Sequence, residues 1–423
     1  MAHKKRIAIV GSGLASFGAC TALVEDKEAL VDIYDVGLTR NESFCSNKSV
    51  PNSTPYKESY FVYGINDNRW SRRVESKRIC SSHAWLGYST VYSGSMLLPS
   101  RSDLDEWPEK SLPDQSDIDY ITDMLEITKD NDELDYFFDV RKQSREQMKN
   151  LKDHNKSKII LGKSRIAINS VRMKRNKRKG EVPFRPDLYF TELIKNESFN
   201  YTNNCNVLYI KYTDEGKKIV YESYDPSLNK VCDGLSIAYD KIILCAGCIN
   251  TTAIIDLTLR NKNKGYHTEN NYLLYSAPIG LQAYLHLGMS LLRLTSRKRE
   301  GDYCTHFLEI RSKRTDYKWS HTQLGPLKKE IVHKVLEILP SIVHPIFKYI
   351  SQFISFSITA YHSDMTIPFK IKCNMIQKGS RRIHNVVVEE NINKVPRGCF
   401  YELWITVINK YRDLGLIPIP FSS

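Results

Sequence analysis

The run Arg6-Ile7-Ala8-Ile9-Val10 leads directly into Gly11-Ser12-Gly13, with Leu14, Ala15 and Ser16 next and Asp35 about twenty residues further on. Residues of these types at this spacing can hold a diphosphate and the sugar attached to it. Gly11 lets the chain turn tightly off a strand. Gly13 has no side chain, so a diphosphate can approach the backbone N–H groups where a helix begins, and that helix end adds roughly half a positive charge. Ser16 stands where a third glycine often sits and is small enough for close helix–strand packing. The Asp35 carboxylate can accept both hydroxyls of a ribose and would repel a 2′-phosphate.

The elements that must position these residues are legible around them. Arg6 to Val10 is a short apolar run of the kind found in buried parallel strands. Leu14 to Glu25 is helical in pattern, and Leu14, Ala15, Ala19, Ala22 and Leu23 are the residues expected on its packed face. Ala29 to Tyr34 is a second strand, ending at Asp35. Strand, glycine turn, helix, strand and acid form the dinucleotide-binding order. The motif alone does not separate FAD from NAD.

Two later segments bear on that choice. Ser82 to Pro99 is dense in Gly and Ser with aromatics between them, and Asp103-Leu104-Asp105-Glu106-Trp107-Pro108 follows. Such a loop lets backbone pass close against a flat ring system. Tyr239 to Leu244 reads as a buried strand that ends in Cys245-Ala246-Gly247, with a helix expected over Thr252 to Leu259. That small turn would let chain and cofactor approach a second time.

On these blocks the chain resembles the FAD-dependent oxidoreductases related to the glucose–methanol–choline (GMC) flavoproteins, and most of all their bacterial relatives in surface-polysaccharide gene clusters. The blocks are Val10-Gly11-Ser12-Gly13 to Asp35, Leu86-Gly87-Tyr88-Ser89 to Trp107-Pro108, and Ile243-Leu244-Cys245-Ala246-Gly247. The resemblance implies an extended FAD. Gly11, Ser12, Gly13, Leu14, Ala15 and Ser16 would line the pyrophosphate and Asp35 the adenosine ribose. Gly87, Ser89, Thr90 and Val91 would lie against the flavin side, and Ala246 and Gly247 near the adenosine half. It also implies oxidation of an alcohol, on a sugar or glycan precursor, with a base taking the hydroxyl proton while hydride passes to the flavin.

The chain departs from that family in three places. Leu86 stands where the first glycine of a Gly-Gly pair is usual, and the cysteine-rich stretch ahead of the middle block is absent. The family also carries a carboxy-terminal histidine beside a second polar residue at the flavin face. Here the last histidine is His384, without that motif around it. The expectation is a chain truncated at its carboxy terminus, and no catalytic residue is assigned. His306, His321, His362 and His384 are the candidate acid–base groups.

Composition narrows the field further. The 423 residues are 41% hydrophobic and 26% charged, which excludes disordered, collagenous and polytopic membrane chains and suits two to three domains. The net charge of +13 favours an anionic partner. The basic run Val171 to Lys179 reads as a solvated loop, and no nucleic-acid partner is expected because no nucleic-acid motif accompanies it. Cys245 and Cys248 form a CxxC without a second pair at metal-ligand spacing, so no metal is expected there. Leu273 to Leu292 lacks Asp, Glu, Lys and Arg but holds Pro278, Gly280 and Gly288, and reads as strand and turn rather than a membrane span. Glu330 to Tyr361 has helical apolar spacing broken at Pro340 and Pro345. It predicts two packed helices, or an amphipathic surface with peripheral contact at the inner face of the membrane.

The expected fold class is α/β: a Rossmann-like FAD-binding domain with a second, mainly antiparallel β-sheet substrate domain. The first would comprise 1–100 and 184–260, with 101–183 as a cap or insert and 262–423 as the substrate domain. Asp214-Glu215-Gly216 marks a hairpin turn within a small β-meander. With no export signal read at the amino terminus, a cytoplasmic protein with free thiols is expected. The partner is a small-molecule or glycan substrate; nothing in the sequence sets the oligomeric state. Other readings of the same residues are an inactive FAD-binding protein, a nicotinamide-dependent reductase and a flavin-dependent sugar isomerase.

Overall fold

A computed structural model of the chain describes residues 4–25, 29–38, 69–76, 81–90, 95–96, 108–125, 127, 159–163, 165–167, 190–191, 193–194, 199–262, 284–290, 306–311, 319–326, 329–351, 354–360, 369–379, 381–390 and 416–419. The chain is mixed α/β and divides into two compact units. The first is Met1–Val91, Arg185–Ala277 and Pro368–Asn391; the second is Tyr92–Phe184, Pro278–Ile367 and Ile392–Ser423. Pro368–Asn391, which the sequence reading grouped with the substrate domain, is therefore part of the first unit.

In the first unit, β1 (Lys5–Val10), α1 (Leu14–Glu25) and β2 (Ala29–Tyr34) form a parallel βαβ unit, with Ile7 opposite Val31 and Val10 opposite Tyr34. Ile7 to Val10 are buried, as an apolar run covered on both faces requires. Fully buried Ile9 and Ile33 each contribute about 2–3 kcal/mol of burial free energy.

The packed face of α1 differs from the expected one. Ser16, Phe17 and Cys20 are buried, whereas Leu14, Ala15 and Ala22 are exposed. Apolar residues surround this helix, so the pattern specifies no phase. The turn at Gly11–Gly13 sets it instead.

The remaining elements of the first unit are β3 (Arg72–Ser76), β4 (Asn200–Thr202), β5 (Cys205–Thr213), β6 (Gly216–Asp225), β7 (Lys230–Tyr239), β8 (Lys241–Leu244), α2 (Gly247–Lys262), β9 (Phe369–Lys378) and β10 (Arg381–Glu390). The parallel sheet has the order β8-β1-β2-β4. β5, β6 and β7 form the antiparallel meander that the Asp214-Glu215-Gly216 turn foretold. Ala8, Val10 and Tyr34 of the parallel sheet share one core with Cys205, Val207, Ile219 and Tyr239 of the meander and with Ile254 of α2. A third sheet has the order β9-β10-β3, with β9 and β10 antiparallel and β3 parallel to β10.

The second unit holds a six-stranded antiparallel sheet in the order Leu416–Ile419, Tyr284–Ser290, Ile354–Ala360, Trp319–Pro326, His306–Arg311, Ile159–Lys163. Tyr284–Ser290, in the uncharged stretch, is thus a strand. Helices span Gln115–Met124, Lys329–Ile338 and His344–Ser351. Pro340 and Pro345 lie at the break between the last two. Among the described residues, no helix is long and apolar enough to cross a membrane. The basic run Val171 to Lys179 and His362 lie outside the described residues, as do 103–107.

Candidate functional site

Neighbouring strands β1 and β8 run parallel and end at the same edge. Each then passes through a glycine into a helix N-terminus, α1 after Gly13 and α2 at Gly247. From β1 the chain moves to β2 on one side, while β8 lies on the other. The strand order therefore reverses between β1 and β8, and the crevice at such a switch point is where open parallel sheets bind ligands.

Gly11 is fixed by contact as well as by conformation. Its φ is +102°, and a Cβ there would lie 2.5 Å from the carbonyl oxygen of Cys245. That carbonyl cannot retreat cheaply, because the Cys245 N–H donates to Val10 O at 2.7 Å. Gly13 differs. It caps α1, its carbonyl accepting from Phe17 N at 2.9 Å, and the nearest atom to a built Cβ is Leu86 O at 4.0 Å. Gly247 has φ +75° and open space around the position of a Cβ. A diphosphate fits these residues: two helix N-termini face one crevice edge, and Gly13 and Gly247 leave it clear.

Ser12 is buried beside this turn. Its hydroxyl donates to Asp35 Oδ2 and accepts from Leu86 N (2.9 Å). The turn is thereby tied to residues 81–90. There, Leu38 and Ala84 form a parallel bridge, and Leu86 adopts φ +67° while fully buried. The short turn Gly87–Thr90 follows, with Ser89 Oγ donating to Leu86 O at 2.7 Å. A leucine thus stands in a backbone conformation that favours glycine, at the position where the resemblance led one to expect Gly. Val91 lies outside the described residues. Ser16 is fully buried, its Oγ 3.9 Å from Cys20 Sγ. Leu14 and Ala15 are exposed at the helix start, and Ala246 is half-buried at the end of β8.

The Asp35 carboxylate is a bracket within the chain. Oδ2 holds the hydroxyls of Ser12 and Tyr201, the latter at 3.4 Å, and the carboxylate also accepts from the N–H groups of Val36 and Gly37. A ribose at this place would compete first with Tyr201, the longest of these contacts. Tyr201 came from no sequence signal. It lies on β4, 166 residues from Asp35, and packs edge-on against Trp85 at 4.7 Å.

Enclosure pushes the Asp35 carboxyl up to about 7, although its hydroxyl and N–H donors pull it down. The unfolded value is about 3.9. Between those values the folded chain holds a proton that the unfolded chain has lost. The associated stability is full below about pH 4 and is lost as pH rises through about 7. Asp35→Asn removes this group, so its unfolding midpoint should fall less than the wild type's between pH 5 and 8. Parallel midpoint curves for the two proteins would contradict this account of Asp35.

Burial pushes the Cys245 thiol up to about 11, opposite to the activation a redox CxxC needs.

No family model matches the chain, and no curated protein matches it. Among solved structures, the chain is similar to the reduced form of ornithine hydroxylase (PvdA) from Pseudomonas aeruginosa. That match has 12% identity and a TM-score of 0.19 and covers 58% of this chain and 37% of the other. The chain thus spans little more than a third of that protein's length, and so slight a likeness supports no inference about fold or activity.

Proposed function

We propose that the first unit binds FAD in the crevice at the carboxyl ends of β1 and β8, and that the chain is an FAD-dependent oxidoreductase acting on an alcohol of a sugar or glycan precursor. One observation carries the binding half: two adjacent parallel strands each end in a glycine turn and a helix N-terminus, with Gly13 and Gly247 leaving the crevice clear. The alcohol half rests on the resemblance to GMC-type sequences. FAD, when bound, supplies a two-electron hydride acceptor. The Gly11 N–H donates to Tyr34 O at 2.8 Å, so the N–H groups from Ser12 to Ser16 and at Gly247 hold its diphosphate, Asp35 meets the adenosine ribose by displacing Tyr201, and the Gly87–Thr90 turn borders the flavin. No base is assigned.

Purified protein tests the chemistry. The expected result is a yellow preparation that bleaches anaerobically with a sugar alcohol. A yellow protein inert to every alcohol and to NAD(P)H would make it an inactive FAD carrier. Bleaching by NAD(P)H alone would make it a reductase, and reaction with a sugar without net bleaching an isomerase.

Peripheral membrane contact belongs to the same proposal. Ile338 (84% exposed) ends one helix, Ile342 (83%) lies in the turn after Pro340, and Ile346 (60%) and Tyr349 (58%) lie on the helix His344–Ser351. With Lys348 in the last turn and a chain charge of +13, the partner is an anionic bilayer surface. Ile342→Asp should cut co-sedimentation with phosphatidylserine-containing vesicles at least tenfold, and unchanged co-sedimentation would refute the contact.

A further inference from the structure

Away from the crevice, the first unit buries a second cluster of reactive side chains that the sequence reading did not assemble. Asp256 lies on α2, Cys373 on β9 and His384 on β10. Each is about 1% exposed. β9 and β10 place Cys373 opposite Val386 and Met375 opposite His384, so Cys373 and His384 are diagonal neighbours on one face of the sheet. One ligand atom from each of the three residues lies within 4.8 Å of the other two.

The polar atoms here are poorly satisfied. Asp256 Oδ1 and both ring nitrogens of His384 have no hydrogen-bond partner among the described residues. His384 Nε2 and Asp256 Oδ2 are 3.5 Å apart, long for a hydrogen bond. Buried polar groups left in this state are costly, so a partner is called for. Arg260 Nε holds Asp256 Oδ2 at 2.7 Å, the outer hydrogen bond that ligating carboxylates usually have, and leaves Oδ1 for an ion. Burial, and then the neighbouring Asp256, push the Cys373 thiol up to about 12, while Arg72 and Arg260 beside it pull the other way. The two guanidiniums weigh against a cation; the charges of the thiolate and carboxylate offset them.

We propose that Asp256, Cys373 and His384 form a divalent transition-metal site of three protein ligands, with Zn²⁺ the ion that best fits a thiolate, an imidazole and a carboxylate. Metal binding replaces the Cys373 S–H bond with a sulfur–metal bond and releases one proton; no electron is transferred. His384 and Arg260 also line a cavity of about 880 Å³, together with Arg382 and Lys230. The site is independent of the flavin crevice. The expectation of no metal came from Cys245 and Cys248 alone. Ligands contributed singly by a helix and two strands leave no spacing to read.

Cobalt titration of the metal-free, full-length chain tests the proposal. One Co²⁺ per chain should produce a thiolate-to-cobalt charge-transfer band that Zn²⁺ bleaches. Cys373→Ser should abolish the band, and Asp256→Asn and His384→Gln should each weaken metal affinity at least tenfold. No band in the wild type, or a band that persists in folded Cys373→Ser, would overturn the assignment. Should these variants fail to fold, X-ray absorption on the zinc-loaded wild type decides: one sulfur ligand supports the site, and none or two overturns it.

Discussion

Replacing Gly13 with aspartate is expected to lower FAD affinity at least 100-fold while leaving the chain as stable as the wild type or slightly more so. The two effects separate because Gly13 is both the helix cap and the floor of the crevice. A side chain here has room, since the nearest atom to its Cβ is 4.0 Å away. Aspartate is among the best N-caps and favours the positive end of α1, worth about 0.5–1 kcal/mol. The same carboxylate faces the place proposed for a diphosphate. Two like charges about 4 Å apart repel by about 4 kcal/mol at an effective dielectric of 20, or about a thousandfold in affinity before salt screening. Urea unfolding and FAD titration of the one variant read the two quantities separately. Unchanged affinity would place the diphosphate elsewhere.

Gly11→Ala should behave in the opposite way, losing stability first. A Cβ at φ +102° and 2.5 Å from Cys245 O combines backbone strain with overpacking, each about 1–3 kcal/mol, for a total of about 2–6 kcal/mol. The contact joins the ends of β1 and β8, so relief requires the two strands to part. A drop in unfolding free energy of this size is the expected outcome of urea denaturation. A variant within about 0.5 kcal/mol of the wild type would show that the strand ends are not held as described.

What could be read from residues alone follows from how local each signal is. The β1-α1-β2 unit, the Gly216 hairpin and the helix break at Pro340 and Pro345 rest on neighbours in sequence, and all are present in the structure. The buried face of α1 was misjudged because LASFGACTALVE is apolar all round, so its orientation is settled by packing rather than pattern. The bracket around Asp35 depends on Tyr201, which β4 delivers from 166 residues away. Likewise, Asp256, Cys373 and His384 meet only after the β9–β10 hairpin joins the first unit. Contacts of that range have no period or spacing in the chain.

The most direct test of the central claim is equilibrium titration of the purified, flavin-stripped chain with FAD, followed by quenching of flavin fluorescence. Uptake of one FAD per chain, weakened at least 100-fold by Gly13→Asp, is the predicted result. A natively folded chain that leaves FAD free in solution at every concentration would contradict it.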